Sequence, residues 1–199
     1  MAQQAVNPFL FGTRGSLIHP LNPVLEEIDM HDIVVSISNT CRYGGRVSSF
    51  YSVAQHSTVM SFWAEELHES ISTDIVKAAL LHDAAEGWIG DIPTPIKKLW
   101  PQIDEVEKQI AKLVFEMHDV DPDLFDCEEI AELDNIMFNT ECRDVLVASS
   151  PPTPHLCIPP EMVTINPQMP PSAFSNFKMR YNQVFGDRAL PITDYHSPV

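Results

Sequence analysis

At 199 residues, 44 % of them hydrophobic, the chain is long enough to bury one sizeable core, and its length favours a single domain. A formal net charge of −16 makes a nucleic-acid polymer a poor partner, because a phosphate backbone calls for an excess of Lys and Arg; a small anion held through a metal remains compatible. Cys41, Cys127, Cys142 and Cys157 form no CxxC pair, so neither a zinc ribbon nor a disulfide framework is indicated.

The N-terminus lacks a basic-then-apolar signal, and no apolar run approaches the roughly 20 residues of a membrane span, so a cytoplasmic protein with no membrane partner is expected. Only seven glycines and several long periodic stretches point away from an all-β fold.

Residues 1–28 read as an irregular N-terminal arm. Asp29 is placed to cap a short helix with Ile33, Val34 and Ile37 facing inward, and its His31-Asp32 doublet is read as ordinary first-turn chemistry. Arg42-Tyr43-Gly44-Gly45-Arg46 then turns the chain and offers two guanidiniums beside two glycines. From about Ser52 a helix carries His56, Val59, Met60, Trp63 and Leu67 at helical spacing, which puts His56 on an apolar face. A lone imidazole there is more often core than ligand; a second inward imidazole with carboxylates on a later helix reverses that reading.

Ile75, Val76, Ala79 and Leu80 form such a later helix, and it ends in His82-Asp83-Ala84-Ala85-Glu86. Glu86 follows His82 by four residues and Asp83 by three, so the three side chains share one turn and a cation is their natural counter-charge. Gly90-Asp91-Ile92-Pro93-Thr94-Pro95 then turns the chain, with Thr94 read as N-cap and Pro95 as N1 of a helix whose free N–H groups would favour an anion. Pro101 and Asp104 open an amphipathic helix with Val106, Ile110, Leu113, Val114 and Met117 inside. The acidic run from Asp119 mimics a calcium loop, but such a loop wants Gly and Glu where Leu124 and Ile130 stand, so it is read as an inter-helix loop.

The next helix, about Glu128 to Ala148, sets Asp134 among the apolar Ile130, Leu133, Met137 and Phe138, where an inward carboxylate must be bonded or ligating. Residues 149–199 read as a Pro-rich strap followed by a helix from Ser172 to Phe185, whose Phe174, Phe177, Tyr181 and Phe185 suit core or a subunit interface. His19, His68, His155 and His196 carry no functional argument. Together His56, His82, Asp83 and Asp134 make an N/O donor set suited to a borderline or hard divalent ion.

At these residues the chain resembles the HD-domain metal-dependent phosphohydrolases, whose signature is a distant His, a His-Asp doublet and a late Asp. The resemblance extends to the nucleotidase-like branch through Arg42-Tyr43, through Ser52-Val53-Ala54-Gln55-His56-Ser57, and through the run from His82 to Lys97, and it spans roughly Asp29 to Asp144. It implies a single-domain, all-α HD fold with its core over 29–148. It also implies a divalent cofactor (Co²⁺, Zn²⁺, Mn²⁺ or Mg²⁺), a second such ion with triphosphate substrates, a small deoxynucleotide substrate and a homo-oligomer.

The compact length and the Arg42-Tyr43-Gly44-Gly45 turn lean toward the phage-encoded triphosphohydrolases that convert dATP to deoxyadenosine and triphosphate. The alternative is a 5′-deoxynucleotidase acting on dNMPs. Both break the ester between the α-phosphorus and the 5′ oxygen. Glu86 and Asp91 are expected to orient water and shuttle a proton, Arg42 and Lys97 to balance phosphate charge, and Tyr43, Trp88 and Pro93 to wall the sugar and base. Tyr43 stands where this branch often has Trp. A non-catalytic nucleotide-sensing HD module is the rival from another class.

Overall fold

A computed structural model of the protein describes residues 8–67, 71–146 and 164–195. The side chain of Leu67, together with His68, His155, His196, Cys157 and most of the Pro-rich strap, lies outside the described residues. The described chain is mostly helical, with one small antiparallel hairpin, Leu10–Phe11 (β1) on Leu17–Ile18 (β2), as its only sheet, so the all-α expectation holds. No helix among the described residues is long and apolar enough to cross a membrane.

Capping chemistry sets several helix starts. Asp29 accepts the His31 backbone N–H at 2.9 Å to open α1 (Met30–Asn39). Ser72 does the same for Ile75 at 3.3 Å to open α3 (Thr73–Leu81). Between them lies α2 (Val53–Leu67), which packs on α1, on α3, on α7 (Glu128–Asp144) and on α8 (Pro170–Phe185), and so forms the axis of the bundle. Short α4 (Glu86–Ile89) leans on α1. It can do so because Gly87 has no side chain: a Cβ there would stand 3.2 Å from the Ile33 carbonyl oxygen and 3.3 Å from Ile37. Gly90, at φ 81°, then ends α4 in a conformation that side chains resist.

α6 (Pro101–Met117) buries Ile110, Ala111, Val114 and Phe115. The acidic run after it is a loop and a short 3-10 turn, Pro122–Asp126, with Asp121 capping Asp123, as expected of an inter-helix connection. Phe174, Phe177, Tyr181 and Phe185 of α8 are all buried within the chain, each worth about 1.5–3 kcal/mol by the usual area scaling, so this stripe is core and offers no subunit interface. Arg180 joins them fully buried, with Ser61 accepting from its Nε at 3.0 Å and Glu65 forming an ion pair with its Nη1 at 3.0 Å.

Three expectations fail in detail. Thr94 does not cap: it is the first residue of α5 (Thr94–Lys97), a single turn preceded by Pro93 and lacking a side-chain cap, too short for a helix-end anion site. His31, read as ordinary first-turn chemistry, is buried, as is His118 just past the end of α6. The Phe138 side chain, expected inside, is 37 % exposed.

Candidate metal centre and its cleft

The segment between α1 and α2 is a closed loop. Cys41 bridges Ser52, the Arg42 N–H donates to the Tyr51 carbonyl at 2.9 Å and Val53 donates to Thr40 at 3.1 Å, so both ends of the loop meet just before the turn that carries His56. Its far side is clipped to the end of α7 by the Val47 and Leu146 bridge and by Ser48 donating to Val145 at 2.8 Å. Inside it Tyr43 (φ 58°) and Gly44 (φ 58°) are left-handed, which kinks the turn and sets Arg42 and Tyr43 over the ends of α3 and α7.

Below this loop α2 presents His56, fully buried, and the end of α3 presents His82 and Asp83. The Nε2 atoms of His56 and His82 stand 3.2 Å apart, and Asp83 Oδ2 is 3.2 Å from His82 Nε2 and 3.5 Å from His56 Nε2. From α7, Asp134 Oδ1 reaches within 3.4 Å of His56 Nε2. The carboxylate is not inward as the apolar neighbours suggested: it is 52 % exposed, at the lip of the site.

The hydrogen bonds on the far sides of the rings fix what these nitrogens offer. His82 Nδ1 lies 2.8 Å from the Ala79 carbonyl, which can only accept, so Nδ1 carries the proton and Nε2 a lone pair. His56 Nδ1 lies 2.6 Å from Glu141 Oε1, with the same result. Two lone pairs and the Asp83 carboxylate thus face one point at mutual spacings of 3.2–3.5 Å, and Asp134 approaches from the His56 side at 3.4 Å. The vertices of a tetrahedron drawn about 2.1 Å from an ion lie about 3.4 Å apart, so the three clustered donors fit three positions around a divalent metal, with Asp134 placed to supply a further one from the lip. The chemistry of the set, imidazole and carboxylate without thiolate, fits a borderline or hard ion.

Without a cation a proton is the substitute. Burial and Arg42 push the His56 imidazole down, but Glu141 and Asp134 outweigh them and raise it to about 9. For Asp83, burial is overcome by His82, His56 and Arg42, which hold it well below the ordinary carboxylate range. Arg42 donates to Asp83 Oδ2 at 2.9 Å and lies 3.6 Å from Glu141, so the guanidinium expected for phosphate is already balanced by two carboxylates.

Above the cluster opens a cleft of about 710 Å³ lined by Arg42, Tyr43, Asp83, Glu86, Asp91, Pro93, Lys97 and Asp134, eight of the residues singled out from the sequence, together with Lys98, Asn135 and Phe138. His56 and His82 lie beneath it, and of the residues expected to wall the sugar and base Trp88 is the exception: it is buried, and the cleft does not reach it. Phe138 stands in its place as an aromatic wall, its ring 6.4 Å from that of Tyr43.

Glu86 has an Oε2 atom buried without a partner, while Oε1 is 3.7 Å from Lys97 Nζ. Burial and then the charge of Asp83 push its carboxyl well above the ordinary range, against the pull of Arg42 and Lys97. Lys97 is closer to Glu107, at 2.6 Å. Burial, with Asp83 and Asp104 acting in the same sense, also raises Glu107, against Lys97. Asp91 accepts the Tyr43 backbone N–H at 2.6 Å, and burial raises it too.

Sequence reasoning missed two residues. Glu141 is fully buried and lies seven residues, two turns, beyond Asp134; that spacing was the available signal. Glu107 sits three and four residues before the buried Ile110 and Ala111, a charge on an apolar face.

Comparison with known proteins supports this reading. The sequence model of a family described as 5′-deoxynucleotidase YfbR-like matches residues 48–119, a span that includes His56, His82, Asp83, Glu86 and Asp91 and leaves out Arg42, Asp134 and Glu141. The chain is 35 % identical over 161 residues, 80 % of its own length and 85 % of the relative's, to the uncharacterized protein YfdR of Escherichia coli K12. An uncharacterized protein of Rhodobacter capsulatus is 33 % identical over 85 residues, 42 % of this chain and 43 % of that one. A helical bundle that gathers an HD doublet with a distant His, together with likeness to a relative over most of both lengths, leads to one assignment: the chain belongs to the YfbR-like 5′-deoxynucleotidase family of metal-dependent HD-domain phosphohydrolases.

Proposed function

We propose that the protein hydrolyses deoxynucleoside 5′-monophosphates to the deoxynucleoside and orthophosphate. The observation that carries this is the charge inventory of the cleft. Of the three cations that line it, Arg42 and Lys97 are each already paired with carboxylates, which leaves Lys98 and a bound ion as surplus positive charge, enough for one phosphate group and little for a chain of three.

What a divalent ion supplies at His56, His82, Asp83 and Asp134 is a water acidic enough to ionise near neutrality and polarisation of a phosphoryl oxygen. The chain's own groups do the rest. Arg42, braced by Asp83 at 2.9 Å, and Lys97, braced by Glu107 at 2.6 Å, hold the remaining phosphoryl oxygens and orient the ester. Glu86, kept protonated by burial and by Asp83, donates its proton to the departing 5′ oxygen, a poor leaving group as a bare alkoxide. Asp91 fixes the Tyr43 backbone, so that the Tyr43 and Phe138 rings and Pro93 can receive the sugar and base.

One feature favours the dATP triphosphohydrolase reading as a second possibility. A neighbouring cleft of about 520 Å³ shares Thr94, Lys97 and Lys98 with the first and adds Lys108, giving room and cations for β- and γ-phosphates. Lys108 is itself engaged by Asp126 at 3.1 Å, which weakens that case.

A panel of dNMPs, dNTPs and NTPs, each with Co²⁺, Mn²⁺, Mg²⁺ or Zn²⁺, separates the two by product. Orthophosphate from dNMPs is the expected result. Triphosphate released faster from dATP than orthophosphate from dAMP replaces the first reading with the second, and no turnover of any nucleotide with any of these ions removes both.

A further inference from the structure

We propose that Glu141 is a positioning residue that ties the metal ligand His56 to the substrate loop, so that one carboxylate sets both the basicity of the metal site and the geometry of Arg42 and Tyr43. Glu141 is fully buried on α7 and has no route to solvent. A buried carboxylate is tolerated only when its lone pairs are filled. Here Oε1 accepts from His56 Nδ1 at 2.6 Å and from the Tyr51 hydroxyl at 2.7 Å, Oε2 accepts from the Tyr43 hydroxyl, and Arg42 Nε lies 3.6 Å away. Every contact on its two oxygens comes from a donor, and a guanidinium stands beside it, which is the geometry of a carboxylate anion.

Each partner feeds a different part of the site. His56 presents its Nε2 lone pair to the metal position only because Nδ1–H is committed to Glu141, and an anionic acceptor makes that lone pair a better donor than a neutral one would. Arg42 and Tyr43 belong to the loop over the cleft, where a left-handed turn at Tyr43 would be free to relax if its ring were not anchored from below. Tyr51 sits at the neck of that loop and holds the carboxylate in register.

The metal half of this inference stands on the donor geometry alone, and the loop half rests on the deoxynucleotidase reading. Metal-free wild type, Glu141→Gln, Tyr51→Phe and Tyr43→Phe are titrated with Co²⁺, followed by its visible absorption, and then assayed with dAMP at saturating metal. Glu141→Gln is expected to keep its helical circular dichroism and bind Co²⁺ about 10–100-fold more weakly, the usual range for loss of such a partner. Tyr51→Phe should weaken Co²⁺ binding in the same direction by a smaller factor. Tyr43→Phe should bind Co²⁺ as wild type does but show a several-fold higher KM at similar kcat.

Wild-type Co²⁺ affinity in folded Glu141→Gln overturns the metal half. If that variant does not fold, wild-type affinity in Tyr51→Phe overturns it instead. An unchanged KM in Tyr43→Phe overturns the loop half. A failure of every nucleotide to turn over removes the proposed function and leaves the Co²⁺ result standing as its own test.

Discussion

His56 and His82 turn their Nε2 atoms toward each other at 3.2 Å with the protons of both rings held on the opposite side. Two acceptors do not approach this closely without something positive between them. At neutral pH the metal-free protein meets the need with a proton on His56, which Glu141 and Asp134 raise to about 9 against burial and Arg42. Metal must displace that proton. Calorimetry at pH 7 in buffers of different ionisation enthalpy should therefore count close to one proton released per ion bound, and apparent affinity should fall about tenfold for each pH unit below about 9. Absence of proton release between pH 6 and 8 would show the site already deprotonated.

The two outer ligands should not be equivalent. His56 is fully buried, so His56→Ala removes a donor from a place water reaches poorly and should abolish metal binding and hydrolysis together. Asp134 is 52 % exposed, and a water can enter the vacated position; Asp134→Ala should keep a weakened site that saturates at high metal. Metal content after dialysis against a series of ion concentrations reads the difference, and an Asp134→Ala protein with wild-type affinity would remove that residue from the ligand set.

Glu86 should separate chemistry from coordination. Its unpartnered buried oxygen and raised carboxyl suit proton donation, so Glu86→Gln should retain stoichiometric metal while kcat drops by about 10²–10⁴-fold. Loss of metal in step with rate would make Glu86 a ligand. The effect should also shrink with a phosphate monoester whose leaving group needs no proton, such as p-nitrophenyl phosphate.

His118 is a stability element. Nδ1 donates to the Val114 carbonyl at 2.6 Å and Nε2 accepts from the Tyr181 hydroxyl at 2.7 Å, so the buried ring is neutral and burial lowers its pKa, partly offset by Val114 and Asp119. A His with a depressed folded pKa contributes stability above its ordinary value of about 6.5 and loses it as the pH falls from there toward the folded value. Between pH 7.5 and 5, the melting temperature of wild type should fall further than that of His118→Gln, whose amide cannot charge. Equal falls would assign the acid sensitivity to other groups.

The fold was readable because periodicity is a local property: the stripes of α1, α3 and α6 are written every three and four residues, and burial followed them. Much of the site was readable as well, since His56 sits on the apolar face of α2 and His82-Asp83 close the striped α3. Asp134 was found for a reason the structure does not support, because its apolar neighbours flank it while the carboxylate itself reaches the cleft lip. Trp88 was misplaced because a Trp beside a Gly-Asp turn reads as a wall, when Gly87 lets α4 sink onto α1 and takes the indole with it. Glu141 was passed over because its seven-residue spacing from Asp134 is a weak signal, while a buried glutamate is recognised by its partners, and these come from three other segments, Arg42-Tyr43, Tyr51 and His56.

The ring formed where Cys41 bridges Ser52 divides the labour of the molecule in a way that bears on how the protein can change. Because the chain enters and leaves that ring at a single hydrogen-bonded neck, residues added or removed at its tip need not shift α1 behind it or α2 ahead of it, and His56 keeps its place. Arg42 and Tyr43 lie beside the neck, and Gly44 to Arg46 lie between them and the Val47 and Ser48 clip to the end of α7. Preference for one nucleotide over another can therefore drift by tinkering with the few rim residues short of that clip, at little risk to the reactive centre underneath. Grafting rims of different length onto this bundle is a practical route to new substrate choices.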